Sequence, residues 1–393
     1  MIAWQGSLAA LPLARSGSLP WNGDLAASAA ALEPALAAAD PEALAQALGA
    51  ETRRRLEATL AGIDAYRRHP YRRSLRDPPT IWRAGASRLL DYGARRRDRD
   101  NLIPTLFVPS LVNRAYILDL SRRRSLLRDL AGRGLRPLLI DWGTPGAAEH
   151  DLTLDDYIAG RLAAALDAVI ARFGRPPVVV GYCMGGLLAL ALAALRPDAV
   201  RALALLATPW DFHADGAADR AFLAAARAPV EALLAAAGAL PVDLIQAMFT
   251  WSAPLMVADK FRAFAGLDPD GRRAEDFVAL EDWLNDGVAL PAAVARACLF
   301  DWYLDNAPGR DCWRVAGTLV RPAAITTPAL VVVPRRDRIV PPASAAALAA
   351  ALANATRLTP AAGHIGMVAG AKARAQVWRP LGAWIARLAE ERL

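Results

Sequence analysis

The length, composition and charge of this chain exclude several classes of protein. Its 393 residues, 55% of them hydrophobic, can bury a sizeable core and are too apolar for a disordered protein. The formal charge of +7 could indicate nucleic-acid binding, but all but two of the 46 basic residues are arginine, which the codon bias of a GC-rich genome explains as well as selection for positive charge does. We therefore expect no nucleic-acid partner.

Residues 1–95 are predicted to form an Ala- and Arg-rich helical N-terminal region. The segment PEALAQALGAETRRRLEATLAGIDAYRR has apolar residues at helical spacing. It follows Asp40 and starts with Pro41, a pair typical of a helix N-terminus. No basic residue precedes the short apolar stretch at the start of the chain, so we expect no signal peptide.

Residues 96–393 are predicted to form an α/β catalytic domain, because short apolar runs alternate with longer helical segments. Strands are expected at 104–110, 136–143, 178–183, 202–210 and 328–337, and helices at 125–134, 155–174, 185–197 and about 371–390. Alternation at these lengths indicates a mostly parallel sheet covered by helices. The alternation of strands and helices is interrupted at about 214–320. We interpret this stretch as a helical lid inserted over the strand ends.

One apolar stretch is long enough to suggest a membrane span. Pro176–Leu195 contains 20 uncharged residues in a row. Three glycines interrupt it, after a β-branched run and before a Leu/Ala run. A buried strand, a sharp turn and a buried helix explain this composition better, so we expect no transmembrane segment.

The turn inside that stretch has the form of a nucleophile elbow. The residues GYCMGG at 181–186 match G-x-C-x-G, with Cys183 in the usual serine position. A nucleophile on a tight strand-to-helix turn needs small neighbours two positions away, and Gly181 and Gly185 provide them. The backbone N–H of Met184 would point toward a developing oxyanion, and the helix N-terminus favours a thiolate. The alternative is a buried structural cysteine in a glycine-rich turn.

A nucleophilic cysteine needs a base and an acid. The chain has four histidines: His69, His150, His213 and His364. His364 lies in a Gly-flanked loop before the final helix, and Asp337 ends the preceding predicted strand. This is the order and placement of an α/β hydrolase, so we predict the triad Cys183–Asp337–His364. For Asp337 taken alone, a surface ion pair with Arg338 is an equally good interpretation.

No cofactor or metal is expected. The chain has no phosphate-binding loop and no dinucleotide-binding fingerprint, because its glycine cluster is the elbow itself. The three cysteines (Cys183, Cys298 and Cys312) show neither metal-ligand spacing nor a disulfide framework, and they suit a reducing cytoplasm.

Sulfur in the elbow favours acyl transfer from a thioester. Serine attacking a thioester forms an oxyester, whereas cysteine forms another thioester, so the acyl group stays activated for delivery to an alcohol or amine. A cysteine hydrolase is also compatible with these residues.

Over about residues 100 to 390 the chain resembles the polyhydroxyalkanoate synthases. The segments that carry the resemblance include FVPSLVNRAYILDL, GYCMGG, LLATPWDF, LEDWLND, FDWYLDN and GHIGMVAGAKA. The last segment above all looks like the shorter synthases, which work with a second subunit. The resemblance implies an α/β-hydrolase fold and polymerisation of 3-hydroxyacyl-CoA into polyester with release of CoA.

The resemblance also implies roles for individual residues. Cys183 would hold the growing acyl chain as a thioester, His364 would activate Cys183 and the incoming hydroxyl, and Asp337 would orient His364 or assist at the hydroxyl. The loop at 109–114 would complete the oxyanion hole through the backbone of Val112. A homodimer in the cytoplasm, at the surface of polyester granules, is the family expectation.

Two features depart from the family pattern. Arg338 stands where the family usually has a histidine after the triad aspartate. Residues 1–95 exceed what the short synthases carry, so the need for a second synthase subunit stays open, because this region could replace or recruit it. The alternatives are a cysteine hydrolase of the dienelactone-hydrolase or thioesterase kind, and a granule-coating scaffold without turnover.

Overall fold

The computed structural model describes residues 2–21, 23–94, 102–214, 217–251 and 254–390. They divide into two compact units, one comprising Met1–Tyr71 with Ala247–Val278 and the other Arg72–Gln246 with Ala279–Leu393. The predicted domain boundary between residues 95 and 96 lies outside the described residues, so that division stays a prediction.

The described residues form fourteen α-helices and twelve strands. The α-helices are α1 (Ile2–Arg15), α2 (Gly23–Ala38), α3 (Pro41–Arg68), α4 (Leu126–Gly132), α5 (Ala163–Phe173), α6 (Met184–Leu195), α7 (Ala217–Ala237), α8 (Val242–Trp251), α9 (Pro254–Ala265), α10 (Arg272–Asn285), α11 (Ala292–Arg296), α12 (Pro342–Ala351), α13 (Gly366–Ala369) and α14 (Arg379–Glu390). The strands are β1 (Thr80–Ala84), β2 (Ser87–Asp91), β3 (Ile103–Val108), β4 (Leu135–Asp141), β5 (Val178–Tyr182), β6 (Ala202–Leu206), β7 (Ala239–Leu240), β8 (Leu290–Pro291), β9 (Arg314–Val315), β10 (Thr318–Leu319), β11 (Ala329–Val332) and β12 (Ala355–Leu358).

The first unit contains the predicted helix that begins at Pro41. The Asp40 carboxylate caps α3 by accepting a hydrogen bond from the Ala43 N–H at 2.8 Å, which confirms the predicted helix start. Helix α3 packs closely against α9, because a Cβ on Gly62 would lie only 1.9 Å from the Phe261 carbonyl oxygen. The helical periodicity of α3 gave no indication of this partner.

The second unit is built on a mostly parallel sheet, as predicted. Among the described residues, eight strands form it in the order β1-β2-β4-β3-β5-β6-β11-β12. All neighbours from β4 to β12 are parallel, while β2 pairs with β1 and β4 in the antiparallel direction. Every residue of β3, β5 and β6 is buried, which explains why these strands appear in the sequence as continuous apolar runs.

The hairpin β1–β2 corrects one part of the sequence analysis. Residues 80–91 were expected within a helical region, but they form two strands that extend the sheet at one edge. Gly85 has a φ of +55° in the two-residue turn between them, a backbone conformation that favours glycine. Each strand has only five residues, so the alternation was too short to predict.

The stretch between β6 and β11 is mainly helical, as expected of the predicted insertion. It contains helices α7 to α11 and a π-helical segment, Ala297–Leu304. Residues 247–278 belong to the first unit, so the stretch is divided between the two units. Its action as a lid stays a prediction.

The long apolar stretch at 176–195 folds as a strand, a turn and a helix. Strand β5 is fully buried and most of α6 is buried with it. Across the described ranges, no helix combines the length and apolar character that crossing a bilayer requires.

Candidate active site

Cys183 is the one residue between the end of β5 and the start of α6. Its backbone has a φ of 57° and a ψ of −129°, a region that residues other than glycine rarely adopt. Two hydrogen bonds of 2.9 Å hold this conformation, one from the Cys183 N–H to the Leu206 carbonyl and one from the Gly186 N–H to the Cys183 carbonyl. The side chain is partly exposed. This is the geometry of the predicted nucleophile elbow.

The glycines on either side of Cys183 are required by backbone contacts. A Cβ on Gly181 would lie 2.4 Å from the Cα of Gly186. A Cβ on Gly185 would lie 2.1 Å from the Val108 carbonyl oxygen, where β3 runs into its following loop. The absence of both side chains therefore allows α6 to approach β5 and the end of β3.

His364 and Asp337 are brought together from two loops that follow β12 and β11. His364 Nδ1 lies 2.7 Å from Asp337 Oδ2, and both residues are buried. The other oxygen of Asp337 accepts hydrogen bonds from the Ile339 and Val340 N–H groups, each at 2.9 Å. The carboxylate is therefore held by the backbone of its own loop while it orients the imidazole.

The protonation of His364 is controlled by its two neighbours. Burial by itself lowers the pKa of His364, because a low-dielectric interior disfavours the charged ring. The negative charge of Cys183, the hydrogen bond with Asp337 and a hydrogen bond with the Cys183 sulfur outweigh burial and raise the pKa to about 10. The site therefore favours a protonated His364 ring next to Cys183.

Tyr182 supports His364 and was not singled out from the sequence. Its ring lies 5.2 Å from the imidazole, centroid to centroid, and its hydroxyl donates to the His364 carbonyl at 3.4 Å. Burial raises the pKa of Tyr182 well above its ordinary value, so the hydroxyl stays protonated. The signal in the sequence was its position beside the nucleophile.

The predicted oxyanion donors differ in their present partners. Met184 is the first residue of α6, so its N–H belongs to the unpaired end of that helix. The Val112 N–H donates to the Ser110 hydroxyl at 3.1 Å and would have to leave that partner to bind an oxyanion. Both assignments stay predictions.

Two of the remaining histidines bond elsewhere, while Cys298 lies within electrostatic range of Cys183. His69 belongs to the first unit, where its Nε2 contacts the Pro269 carbonyl at 2.8 Å. His213 is exposed and its Nε2 contacts the Leu304 carbonyl at 3.0 Å. Cys298 is buried, and burial raises its pKa, which keeps it a neutral thiol. No described group of three or more His, Cys, Asp or Glu residues could hold a metal ion.

Comparison with known proteins identifies the family. The family model described as the alpha/beta hydrolase fold matches residues 106–371. The poly(3-hydroxyalkanoate) polymerase subunit PhaC of Allochromatium vinosum is 30% identical over 287 residues, which cover 72% of this chain and 80% of that protein. The chain belongs to the poly(3-hydroxyalkanoate) polymerase family. The resemblance and the α/β-hydrolase fold expected from the sequence are thereby confirmed.

Two further members of the family show how much of each chain is shared. The subunit from Synechocystis is 30% identical over 292 residues, covering 72% of this chain and 77% of the relative. The subunit from Haloferax mediterranei is 28% identical over 315 residues, covering 79% of this chain but only 64% of the relative. The chain therefore spans less than two thirds of the length of that archaeal polymerase subunit.

Proposed function

We propose that this chain is an acyltransferase that polymerises 3-hydroxyacyl-CoA into polyester and releases CoA. The observation that carries the proposal is Cys183 on a nucleophile elbow, with His364 at its sulfur and Asp337 behind the imidazole, in a member of the polymerase family.

The first chemical step loads the acyl group onto sulfur. The Cys183 thiolate attacks the thioester carbonyl, and the Met184 N–H and an N–H of the loop at 109–114 stabilise the oxyanion that forms. When the tetrahedral intermediate collapses, the carbon–sulfur bond to CoA breaks and the leaving thiolate takes the proton from His364. The product is an acyl-Cys183 thioester and free CoA thiol.

The second step extends the chain. His364, now neutral, accepts the proton of an incoming 3-hydroxyl, whose oxygen attacks the acyl-Cys183 carbonyl. An ester bond forms, the bond to Cys183 breaks, and the imidazolium is again beside a thiolate. Asp337 keeps the same ring nitrogen of His364 protonated throughout, so that the other nitrogen serves both steps.

The setting of the reaction belongs to the same proposal. CoA thioester is a substrate, and the chemistry requires neither a metal nor another cofactor. The proposed partners are the growing polyester, a second copy of this chain and, in view of the subunit naming of the relatives, a second synthase subunit. The proposed location is the cytoplasmic surface of polyester granules.

The experiment that tests the function incubates the purified chain with 3-hydroxybutyryl-CoA. We expect free thiol, insoluble polyester and an acyl adduct on Cys183, all abolished in Cys183→Ala. Thiol release with only free hydroxy acid would replace the proposal with a cysteine hydrolase. Absence of adduct and thiol release, with longer acyl groups and with a purified polymerase partner subunit added, would favour a scaffold.

A further inference from the structure

The loop at 109–114, here called the oxyanion loop, is held at both ends by tryptophan side chains. Trp142 Nε1 donates to the Pro109 carbonyl at 3.1 Å, and Trp283 Nε1 donates to the Arg114 carbonyl at 2.8 Å. Both indoles are buried. Carbonyls bonded inside a buried environment are costly to release, so these two contacts restrict the path of the loop.

The second anchor comes from the end of α10, in the stretch between β6 and β11. Asp286 accepts a hydrogen bond from Arg114 Nε at 3.1 Å and another from the Tyr116 hydroxyl just beyond the loop. Asn113 and Gly287 form an isolated antiparallel β-bridge. The loop therefore contacts this segment through an indole, a carboxylate and the backbone.

The opposite end of the oxyanion loop lies against the nucleophile elbow. Val108 is paired with Gly181 in the sheet, and the contact of Gly185 with the Val108 and Pro109 carbonyls leaves no room for a side chain. The start of the oxyanion loop therefore packs against the turn that carries Cys183.

We propose that Trp283 and Asp286 are positioning residues, which hold the oxyanion loop beside the elbow, so that the Val112 N–H needs to leave only the Ser110 hydroxyl to stabilise the tetrahedral intermediate on Cys183. The inference rests on the proposed function for its substrate. It assigns to the segment LEDWLNDG (280–287) a positioning role: the segment supports the loop that completes the oxyanion hole.

Trp283→Phe tests the inference, because it keeps an aromatic ring and removes only the N–H donor. The rate of Cys183 acylation by 3-hydroxybutyryl-CoA should fall by about 10- to 100-fold. A displaced oxyanion donor slows acylation by a factor of this size, because it stabilises the transition state less well. The rate of Cys183 alkylation by iodoacetamide should change less than twofold, because alkylation forms no oxyanion. Peptide mass spectrometry separates Cys183 from the exposed Cys312, whose alkylation is an internal standard.

The matched control is Trp302→Phe. Trp302 is equally buried in the same chain segment between β6 and β11, but its Nε1 has no hydrogen-bond partner among the described residues. Removing that N–H should leave both rates of Cys183 modification within twofold of the wild type. Asp286→Asn, at a partly exposed side chain, should slow acylation in the same direction as Trp283→Phe, by a smaller factor.

Three results would overturn the inference. Equal losses of acylation and alkylation in Trp283→Phe would show general damage to the site, and unchanged acylation would show that the indole bond does not matter. If Trp283→Phe fails to fold, Asp286→Asn takes its place as the test, and an unchanged acylation rate in Asp286→Asn would overturn the positioning role. If the wild type does not react with the CoA thioester, the proposed function fails, and p-nitrophenyl acetate, whose acylation also passes through an oxyanion, tests the positioning role alone.

Discussion

Asp337 holds His364 through one carboxylate oxygen and its own loop through the other. The 2.7 Å contact with Nδ1 and the two backbone N–H bonds at Oδ1 leave the carboxylate little freedom to rotate. This geometry keeps a proton on Nδ1 and leaves Nε2 as the ring nitrogen available to Cys183.

Asp337→Asn tests that relationship. The amide oxygen can still accept the N–H groups of Ile339 and Val340, so the amide NH₂ would face His364 Nδ1 and favour the wrong tautomer. We expect the steady-state rate of CoA release to fall by roughly 10²- to 10⁴-fold, as at comparable triads. A variant that keeps near-normal turnover would contradict the orienting role.

Cys183→Ser tests the importance of sulfur. The hydroxyl fits the same backbone position, but it is much less acidic than a thiol and its oxyester is a poorer acyl donor. We expect a folded protein with at most about 1% of the wild-type polymer yield, measured as insoluble polyester per amount of enzyme in a fixed time. Full activity of the serine variant would show that thioester chemistry is not the basis of this site.

The raised pKa of His364 predicts a specific effect of removing the thiol. Cys183→Ala removes the negative charge and the sulfur hydrogen bond, both of which raise the pKa of His364. Burial, which lowers this pKa, is then opposed by Asp337 alone, so the pKa should fall below about 10. Nitrogen NMR of the imidazoles can measure this, since the chain has only four histidines. An unchanged His364 titration would mean that Cys183 does not determine its charge.

The same shift predicts how stability depends on pH. Between the ordinary histidine pKa of 6.5 and the folded value of about 10, the folded state binds more protons than the unfolded state. The contribution of His364 to the free energy of unfolding is therefore fully present below pH 6.5 and is lost as pH rises toward 10. Urea unfolding at pH 6.5 and pH 10 should show a smaller loss in Cys183→Ala than in the wild type.

The positive φ of Cys183 predicts an unusual order of stability. Glycine adopts this backbone without strain, whereas alanine does not, so Cys183→Gly should be more stable than Cys183→Ala by about 1 kcal/mol. At the exposed helical position Ala164, the change to glycine should instead cost about 1 kcal/mol. Chemical unfolding measures both pairs. Cys183→Ala proving the more stable of the two would argue against a strained elbow.

Gly185→Ala should damage the site through the backbone. Its Cβ would meet the Val108 and Pro109 carbonyls at 2.1 and 2.6 Å, and neither atom can move without shifting the strand end or the oxyanion loop. We expect a loss of about 2 kcal/mol or more in unfolding free energy and a large loss of acylation. Gly132→Ala is the control, because nothing lies within 4 Å of its Cβ and it ends a helix.

Much of the candidate site could be predicted because its sequence signals are local. The G-x-C-x-G pattern indicates a tight turn, because the neighbouring backbone leaves no room for side chains at its glycines. The order of Cys183, Asp337 and His364 along the chain follows from the order of the strands that precede them. Continuous apolar runs reported the central strands, because those strands are buried on both faces.

The amino-acid sequence by itself determined the parallel sheet, the elbow and the candidate triad. Only the tertiary structure decided which distant polar groups meet: Trp283 with Arg114, and Arg136 with Asp91 in a fully buried ion pair at 2.6 Å. It also placed the β1–β2 hairpin at the sheet edge. Periodicity records which side of an element is buried. It does not identify the residue that a buried side chain will contact, because a contact between residues far apart in the chain depends on the packing of the whole fold.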